Sequence, residues 1–183
     1  YLRILIKSIL LIPFILLNQE CSNDIPSFIL ADQDPIIEPD YTSVTIPSNI
    51  APLNFRIKQP GDRFSARFYD QKGIDFTITS KSGIIEIPKE KWRRLLSSAS
   101  PGSYSVDIFI KISGRWSKFN TITNNIAADS IDKYLVYRLI EPGFETWNKM
   151  GIYQRNLEDF REIPVMLNGY SAFSGVTLRA TWN

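Results

Sequence analysis

Apolar and polar residues alternate in short runs between residues 41 and 130, which is the pattern of β-strands with one buried face. Turn-forming residues separate the runs at intervals of roughly ten residues. The runs that we expect to be strands are 43–46, 53–57, 63–69, 74–79, 84–87, 104–112 and 116–123. Strands of this length and spacing predict a mostly β fold, an antiparallel immunoglobulin-like sandwich over residues 41–130.

One segment within this block has helical rather than alternating periodicity. Trp92, Leu95 and Leu96 are spaced so that they share one face of a helix, and Pro88 suits the start of its first turn. We therefore predict one short amphipathic helix over residues 89–97, with Trp92 packed in the core rather than exposed to a ligand. Residues 124–129 are expected to be a linker to the next part of the chain.

Three further apolar runs follow, at 134–140, 151–157 and 161–167, and a loop with Pro142, Gly143 and Trp147 separates the first two. Their order predicts a β-meander of the kind that builds a propeller blade. One blade cannot close a propeller, because each blade buries its faces against its neighbours. We therefore interpret residues 131–183 as a partial blade with a divergent tail, and expect the chain to be a fragment or a truncated product.

The N-terminal segment has the features of a targeting signal. Arg3 and Lys7 precede an apolar stretch, Ser8–Leu17, that is shorter than the roughly 20 residues needed to span a bilayer as a helix. Residues 1–20 are thus expected to be a signal peptide or signal-anchor, with a buried core segment as the alternative.

Cys21 follows this segment at the distance at which a bacterial lipoprotein signal is cleaved. A thiol is required there because the diacylglyceryl group is attached through sulfur. Residues 18–20 match the small-residue cleavage pattern poorly, so a lone thiol and a cysteine within an uncleaved anchor remain alternatives. We predict lipidation at Cys21.

Residues 21–40 are expected to tether the body of the protein to the membrane. Three prolines and five acidic residues lie between residues 22 and 40, and proline disrupts both helices and strand ladders. Within this tether, Phe28–Leu30 is apolar enough to dock on the following domain.

Composition excludes several kinds of chemistry. The chain has no histidine and one cysteine, which removes Ser-His and Cys-His catalysis, an intrachain disulfide, a cysteine-zinc cluster and CxxCH haem attachment. The net charge of +2 gives no footprint for nucleic acid or for an anionic membrane surface. We expect no cofactor, no metal and no nucleic-acid partner.

Three segments carry a resemblance to a known family: Thr45–Phe55 (TIPSNIAPLNF), Tyr134–Gly143 (YLVYRLIEPG) and Gly151–Leu157 (GIYQRNL). In this order they resemble envelope lipoproteins of Bacteroidota-type bacteria. The resemblance covers about residues 41–167, and it implies an N-terminal β domain followed by a TolB-like β-propeller.

These features together favour a non-catalytic cell-envelope lipoprotein, membrane-anchored and facing the periplasm or the cell surface, that acts as a binding or scaffold component. Its partner would be an envelope protein or a glycan. The alternative is a secreted sandwich that binds carbohydrate or peptide through the loop residues Phe144 and Trp147, with Trp116 and Tyr153 expected in the core. A hydrolase is less favoured, since no spacing pairs the scattered carboxylates such as Asp75 and Asp107.

Overall fold

A computed structural model of the protein describes residues 27–140 and 149–168. Within this part the protein is mostly β, with thirteen strands and one helix. The helix, α1, spans Lys89–Ala99. The strands are β1 (Phe28–Leu30), β2 (Ile37–Glu38), β3 (Thr45–Ile46), β4 (Phe55–Ile57), β5 (Arg63–Tyr69), β6 (Asp75–Ser80), β7 (Ile84–Ile85), β8 (Gly102–Ile112), β9 (Arg115–Lys118), β10 (Ile122–Ile126), β11 (Tyr134–Leu139), β12 (Gly151–Asn156) and β13 (Glu162–Leu167).

Seven strands form the large sheet around the long central strand β8. On one side β8 pairs antiparallel with β5, which pairs with β6. On the other side the start of β8 pairs with β10 and its end with β9. The short strands β1 and β3 complete this side, parallel to β9 and β10.

The prediction of one continuous strand over residues 116–123 is wrong. The chain leaves the ladder at Phe119, whose side chain is buried, so two strands take its place and pair with different halves of β8. The predicted linker from residue 124 is also wrong, because β10 continues to Ile126 with Asn124 buried. Burial of this asparagine is tolerated because its amide donates to the Tyr41 carbonyl and to the Tyr104 hydroxyl.

Strands β2, β4 and β7 form the small sheet, which is antiparallel. It shares one hydrophobic core with the inner face of the large sheet and with α1. The contact between the sheets includes Phe55 and Phe68, whose ring centroids lie 6.4 Å apart. The predicted helix is confirmed, and Trp92, Leu95 and Leu96 are buried in the core as expected.

The stretch expected to be a tether contributes two strands within its described part, which begins at residue 27. Phe28–Leu30 forms β1 and pairs in register with Trp116–Lys118, and Ile37–Glu38 forms β2. Pro35 and Pro39 flank β2, where the missing N–H groups cost no ladder hydrogen bond. Residues 28–38 are therefore part of the folded body.

Strands β11, β12 and β13 form a separate antiparallel meander sheet in the order of the chain. They occupy the three predicted runs, and their ends differ by one residue from the predicted ones. A bulge between Ile152 and Tyr153 shifts the register of β12 against β13. No helix within residues 27–140 and 149–168 is long and apolar enough to cross a membrane.

Candidate interaction site

The connection between β3 and β4 contacts both parts of the protein. One part is the meander sheet, and the other, which we call the body, consists of the large sheet, the small sheet and α1. We call Pro47–Pro52 the coupling loop. It contacts the segment that enters the meander sheet, the turn between β12 and β13, and α1. Because these elements are distant in sequence, the loop fixes their relative positions in one place.

Asn49 makes the most specific of these contacts. Its Nδ2 donates to the Ile131 carbonyl at 2.9 Å, and its Oδ1 accepts from the Ile131 N–H at 3.0 Å. The side-chain amide thus pairs with both backbone groups of one residue, as a neighbouring strand would. The Ser48 N–H adds a longer bond to the Asp129 carbonyl, 3.4 Å away.

The same loop also binds the residue that follows the C-terminal end of β12, beside the start of β11. The Ala51 N–H donates to the Leu157 carbonyl at 2.8 Å, and the Leu157 N–H donates to the Lys133 carbonyl at 2.8 Å. The carbonyl of Leu157 is therefore bound by the coupling loop, and its N–H is bound by Lys133, just before β11. The body and the meander sheet meet through a defined set of backbone hydrogen bonds.

An ion pair lies beside these bonds. The ammonium of Lys89, in the first turn of α1, is 3.8 Å from the carboxylate of Asp159 in the β12–β13 turn. The backbone N–H of Arg161 donates to that carboxylate at 3.0 Å and, with the charge of Lys89, lowers the pKa of Asp159. Both side chains are partly exposed, so the pair contributes little to the free energy of unfolding. Its effect is to orient the β12–β13 turn towards α1.

The core supports the coupling loop from below. The Nε1–H of the buried Trp92 donates to the Ile50 carbonyl at 3.0 Å, and its ring packs edge-on against Tyr104 at 5.5 Å. Burial raises the pKa of Tyr104 to about 12, although the amide of Asn124 donates to its hydroxyl. The loop conformation is thus tied to the packing of α1 and β8.

A groove of about 280 Å³ runs between the coupling loop and α1. Asn49, Pro52, Lys89, Arg93 and Glu158 are among its lining residues. Its walls come from both the body and the meander sheet, so its shape depends on the contacts just described.

The meander sheet exposes apolar side chains on both faces. On one face the register brings together five exposed residues: Tyr134, Val136, Ile152, Ile163 and Met166. The opposite face carries Leu135 and the stacked rings of Tyr137 and Tyr153, 6.2 Å apart. A sheet that faces water on one side normally has a polar face there, so this pattern is typical of a sheet covered on both sides.

The structure describes none of the residues predicted as functional. Cys21, Phe144 and Trp147 lie outside the described residues. The expectation that Trp116 and Tyr153 belong to the core is wrong: both are half-buried, on the outer face of the large sheet and on the meander sheet.

The carboxylates serve as partners for cations. Asp75 pairs with Arg67, and Asp107 pairs with Lys118 at 2.9 Å. Within the described ranges no group of three or more aspartate, glutamate, histidine or cysteine residues is arranged to hold a metal ion. These acids have structural roles in the large sheet.

No family model matches the chain, and no curated protein or solved structure matches it either.

The sequence did not predict the role of Asn49. This residue lies in the segment Thr45–Phe55, and no recognisable motif surrounds it. Nothing near Asn49 in the sequence identifies its partner, Ile131, which is 82 residues away.

Proposed function

We propose that this chain is a membrane-anchored lipoprotein of the cell envelope that acts as a non-catalytic scaffold. In this proposal the large and small sheets are an immunoglobulin-like sandwich, and the meander sheet is a propeller blade that packs against neighbouring blades. The observation that carries the proposal is the pairing of a firm attachment, through the coupling loop, with a sheet that exposes apolar side chains on both faces.

The attachment supports a scaffold because it limits how the meander sheet can move. Asn49 and Ala51 bind two neighbouring strand ends at the same end of this sheet: Ile131 before β11 and Leu157 after β12. Two anchor points on one loop restrict rotation about either of them. A scaffold that presents a docking surface needs this kind of preorganisation, because ordering the surface at the moment of binding costs affinity.

The exposed faces support a blade. Val136 and Met166 retain 58% and 57% exposure, and the other face adds Leu135 at 49%. Contiguous exposed apolar surface on a folded protein marks an interaction site. Blades of a propeller bury both faces against the blades before and after them, so neighbouring blades are the partners that fit this sheet.

The polar residues buried in the body support a structural role. Asp107 is held by Lys118 and by the Thr121 hydroxyl, which donates to it at 2.6 Å. Asn124 accepts from the Val44 N–H and donates to Tyr104. Asn156 accepts from the Glu158 N–H in the β12–β13 turn. Each of these groups is engaged by the fold itself.

The N-terminal sequence supports the envelope location. The basic start, the short apolar stretch and Cys21 form the pattern of a lipoprotein signal. In the described part of the chain the first strand begins at Phe28, so a lipid on Cys21 would lie close to the folded body.

The proposal can be tested in cells that express the chain from its own gene. The measurement is the intact mass of the protein in the membrane fraction. The chain should start at Cys21 and carry a mass increase of diacylglyceryl size. Both features should disappear in Cys21→Ser. An unmodified chain that retains residues 1–20 would contradict the lipoprotein proposal.

A further inference from the structure

The outer face of the large sheet carries a row of four residues that only the register reveals. Arg63 of β5 lies opposite Lys111 of β8, Lys111 lies opposite Trp116 of β9, and Trp116 lies opposite Phe28 of β1. Phe64 and Ile110, the neighbours of Arg63 and Lys111, face the core, so the row faces outwards. We call Arg63, Lys111, Trp116 and Phe28 the cationic-aromatic row.

One carboxylate lies near the two cations of this row: that of Asp62, which accepts from the Ser113 N–H at this end of the sheet. Like charges directly opposite each other on neighbouring strands are unfavourable. Within the described part of the chain neither forms an ion pair, and the ammonium of Lys111 lies 5.8 Å from the centroid of the Trp116 ring. Farther along the same face Arg67 and Lys118 are paired with carboxylates. The positive charge is therefore concentrated at this end of the sheet.

The same end also exposes apolar side chains. Strand β1 consists of Phe28, Ile29 and Leu30, which are 45%, 61% and 75% exposed. The Phe28 ring packs edge-on against Phe109 at 5.3 Å, which fixes the strand on the sheet while leaving its apolar atoms in water. Ile112, at the end of β8, is exposed as well. An edge strand of three apolar residues is thus held next to two unpaired cations.

We propose that this end of the large sheet docks on the surface of a membrane that contains anionic lipids. Aromatic residues with aliphatic and cationic neighbours are the combination that favours the boundary between lipid headgroups and hydrocarbon. The cations would lie at the phosphate groups, and Phe28, Leu30 and Trp116 would enter the headgroup layer.

The position of the patch in the chain fits this partner. The inference rests on the proposed lipid attachment at Cys21. Phe28 follows that residue by seven positions, which limits the distance between them to about 25 Å. A lipid anchor alone gives weak binding, and a nearby basic and apolar surface supplies the second contact that makes anchoring stable. The net charge of +2 did not indicate this surface, because it sums the charges of the whole chain and does not show where the unpaired ones lie.

Hydrogen exchange of the full chain, reconstituted in lipid vesicles, tests the inference. The vesicles contain phosphatidylcholine alone or phosphatidylcholine mixed with phosphatidylglycerol. In the anionic vesicles, the peptides covering residues 27–31 and 109–117 should exchange several-fold more slowly than in the neutral ones. A peptide covering β11 should exchange equally in both.

Two matched variants sharpen the test. Arg63→Glu with Lys111→Glu should abolish the protection in anionic vesicles. Lys81→Glu with Arg94→Glu makes the same change in net charge at exposed positions of the body and should retain it. Unchanged exchange of the central residues of β8 would verify that both variants are folded.

Three results would overturn the inference: equal exchange in the two kinds of vesicle, protection that persists in the Arg63 and Lys111 variant, or protection by a soluble anionic polysaccharide without vesicles. The last result would identify a glycan as the partner. This readout is independent of lipidation, because the reconstituted chain retains residues 1–20 and is therefore not processed at Cys21. An unlipidated cysteine with protected β1 would contradict the lipid attachment alone, and a lipidated cysteine with unprotected β1 would contradict the docking alone.

Discussion

Asn49 and Ile131 are 82 residues apart in sequence, yet the amide of one forms two hydrogen bonds with the backbone of the other. Asn49 belongs to the loop between two strands of the body, and Ile131 precedes the first strand of the meander sheet. This one side chain therefore carries the most specific link between the two parts of the protein.

Replacing Asn49 with alanine should loosen the meander sheet without unfolding the body. Both bonds to Ile131 are lost, at a cost of about 1 kcal/mol each or less because the site is exposed. Hydrogen exchange in β11 and β12 should accelerate, while exchange in β8 remains unchanged. Asn49→Asp retains the acceptor for the Ile131 N–H and should give a smaller effect. Equal acceleration in β8 would contradict a local role.

Replacing Trp92 with phenylalanine separates packing from hydrogen bonding. Phenylalanine retains an aromatic ring in the core but removes the Nε1–H that donates to the Ile50 carbonyl. We expect a loss of about 1–3 kcal/mol in the free energy of unfolding, since a part-buried carbonyl loses its partner. Trp92→Ala should cost more, about 3–5 kcal/mol, because it also leaves a cavity. Urea denaturation would measure both, and an equal cost for the two variants would contradict this assignment.

The buried pair of Asp107 and Lys118 should respond asymmetrically to substitution. Asp107 is 3% exposed, so Lys118→Met leaves a buried carboxylate without its cation, at a cost approaching about 3 kcal/mol. In Asp107→Asn the ammonium of Lys118 can still reach water, and the loss should be nearer 1 kcal/mol. The double variant should be more stable than Lys118→Met alone.

The exposed pair of Arg67 and Asp75 serves as a control for that prediction. Both side chains are 45% exposed, so Asp75→Asn should change the free energy of unfolding by less than about 1 kcal/mol. A larger loss for Asp107→Asn than for Lys118→Met would contradict the argument from burial.

Tyr104 should make the protein sensitive to alkali. Its pKa rises from the ordinary value of 10 to about 12 in the folded state, because burial disfavours the phenolate. The unfolded chain loses this proton first, so the stability contributed by the neutral phenol is complete below pH 10 and is lost as the pH rises towards 12. Tyr104→Phe should be less stable at neutral pH and should lose less stability over this range. Parallel pH profiles of the two proteins would contradict the prediction.

The sequence predicts those elements whose side chains alternate or repeat over a full segment. Residues 63–69 form β5 as predicted, and α1 extends the predicted helix by two residues. In both cases burial follows the local period, so local pattern and tertiary packing agree. The short strands β1 and β2 have too few residues for a period, and only their pairing makes them strands.

The candidate sites were less predictable because they depend on register and on distant contacts. Asn49 has no local signal for its pairing with Ile131, and Arg63 and Lys111 become neighbours only when β5 pairs with β8. The break at Phe119 has the same origin, since an alternating run does not show where its partner strand changes. Composition and periodicity therefore predicted the class of fold, while tertiary pairing determined the surfaces.

If the protein is a scaffold, the faces of the meander sheet are covered in the assembled envelope. The most direct test is thiol labelling of Val136→Cys, which lies on the more exposed face, with Lys81→Cys in an exposed turn of the body as the control. The scaffold account predicts that residue 136 reacts readily in the purified chain and slowly in the native envelope, whereas residue 81 reacts readily in both. Equal labelling of residue 136 in the two settings would contradict it.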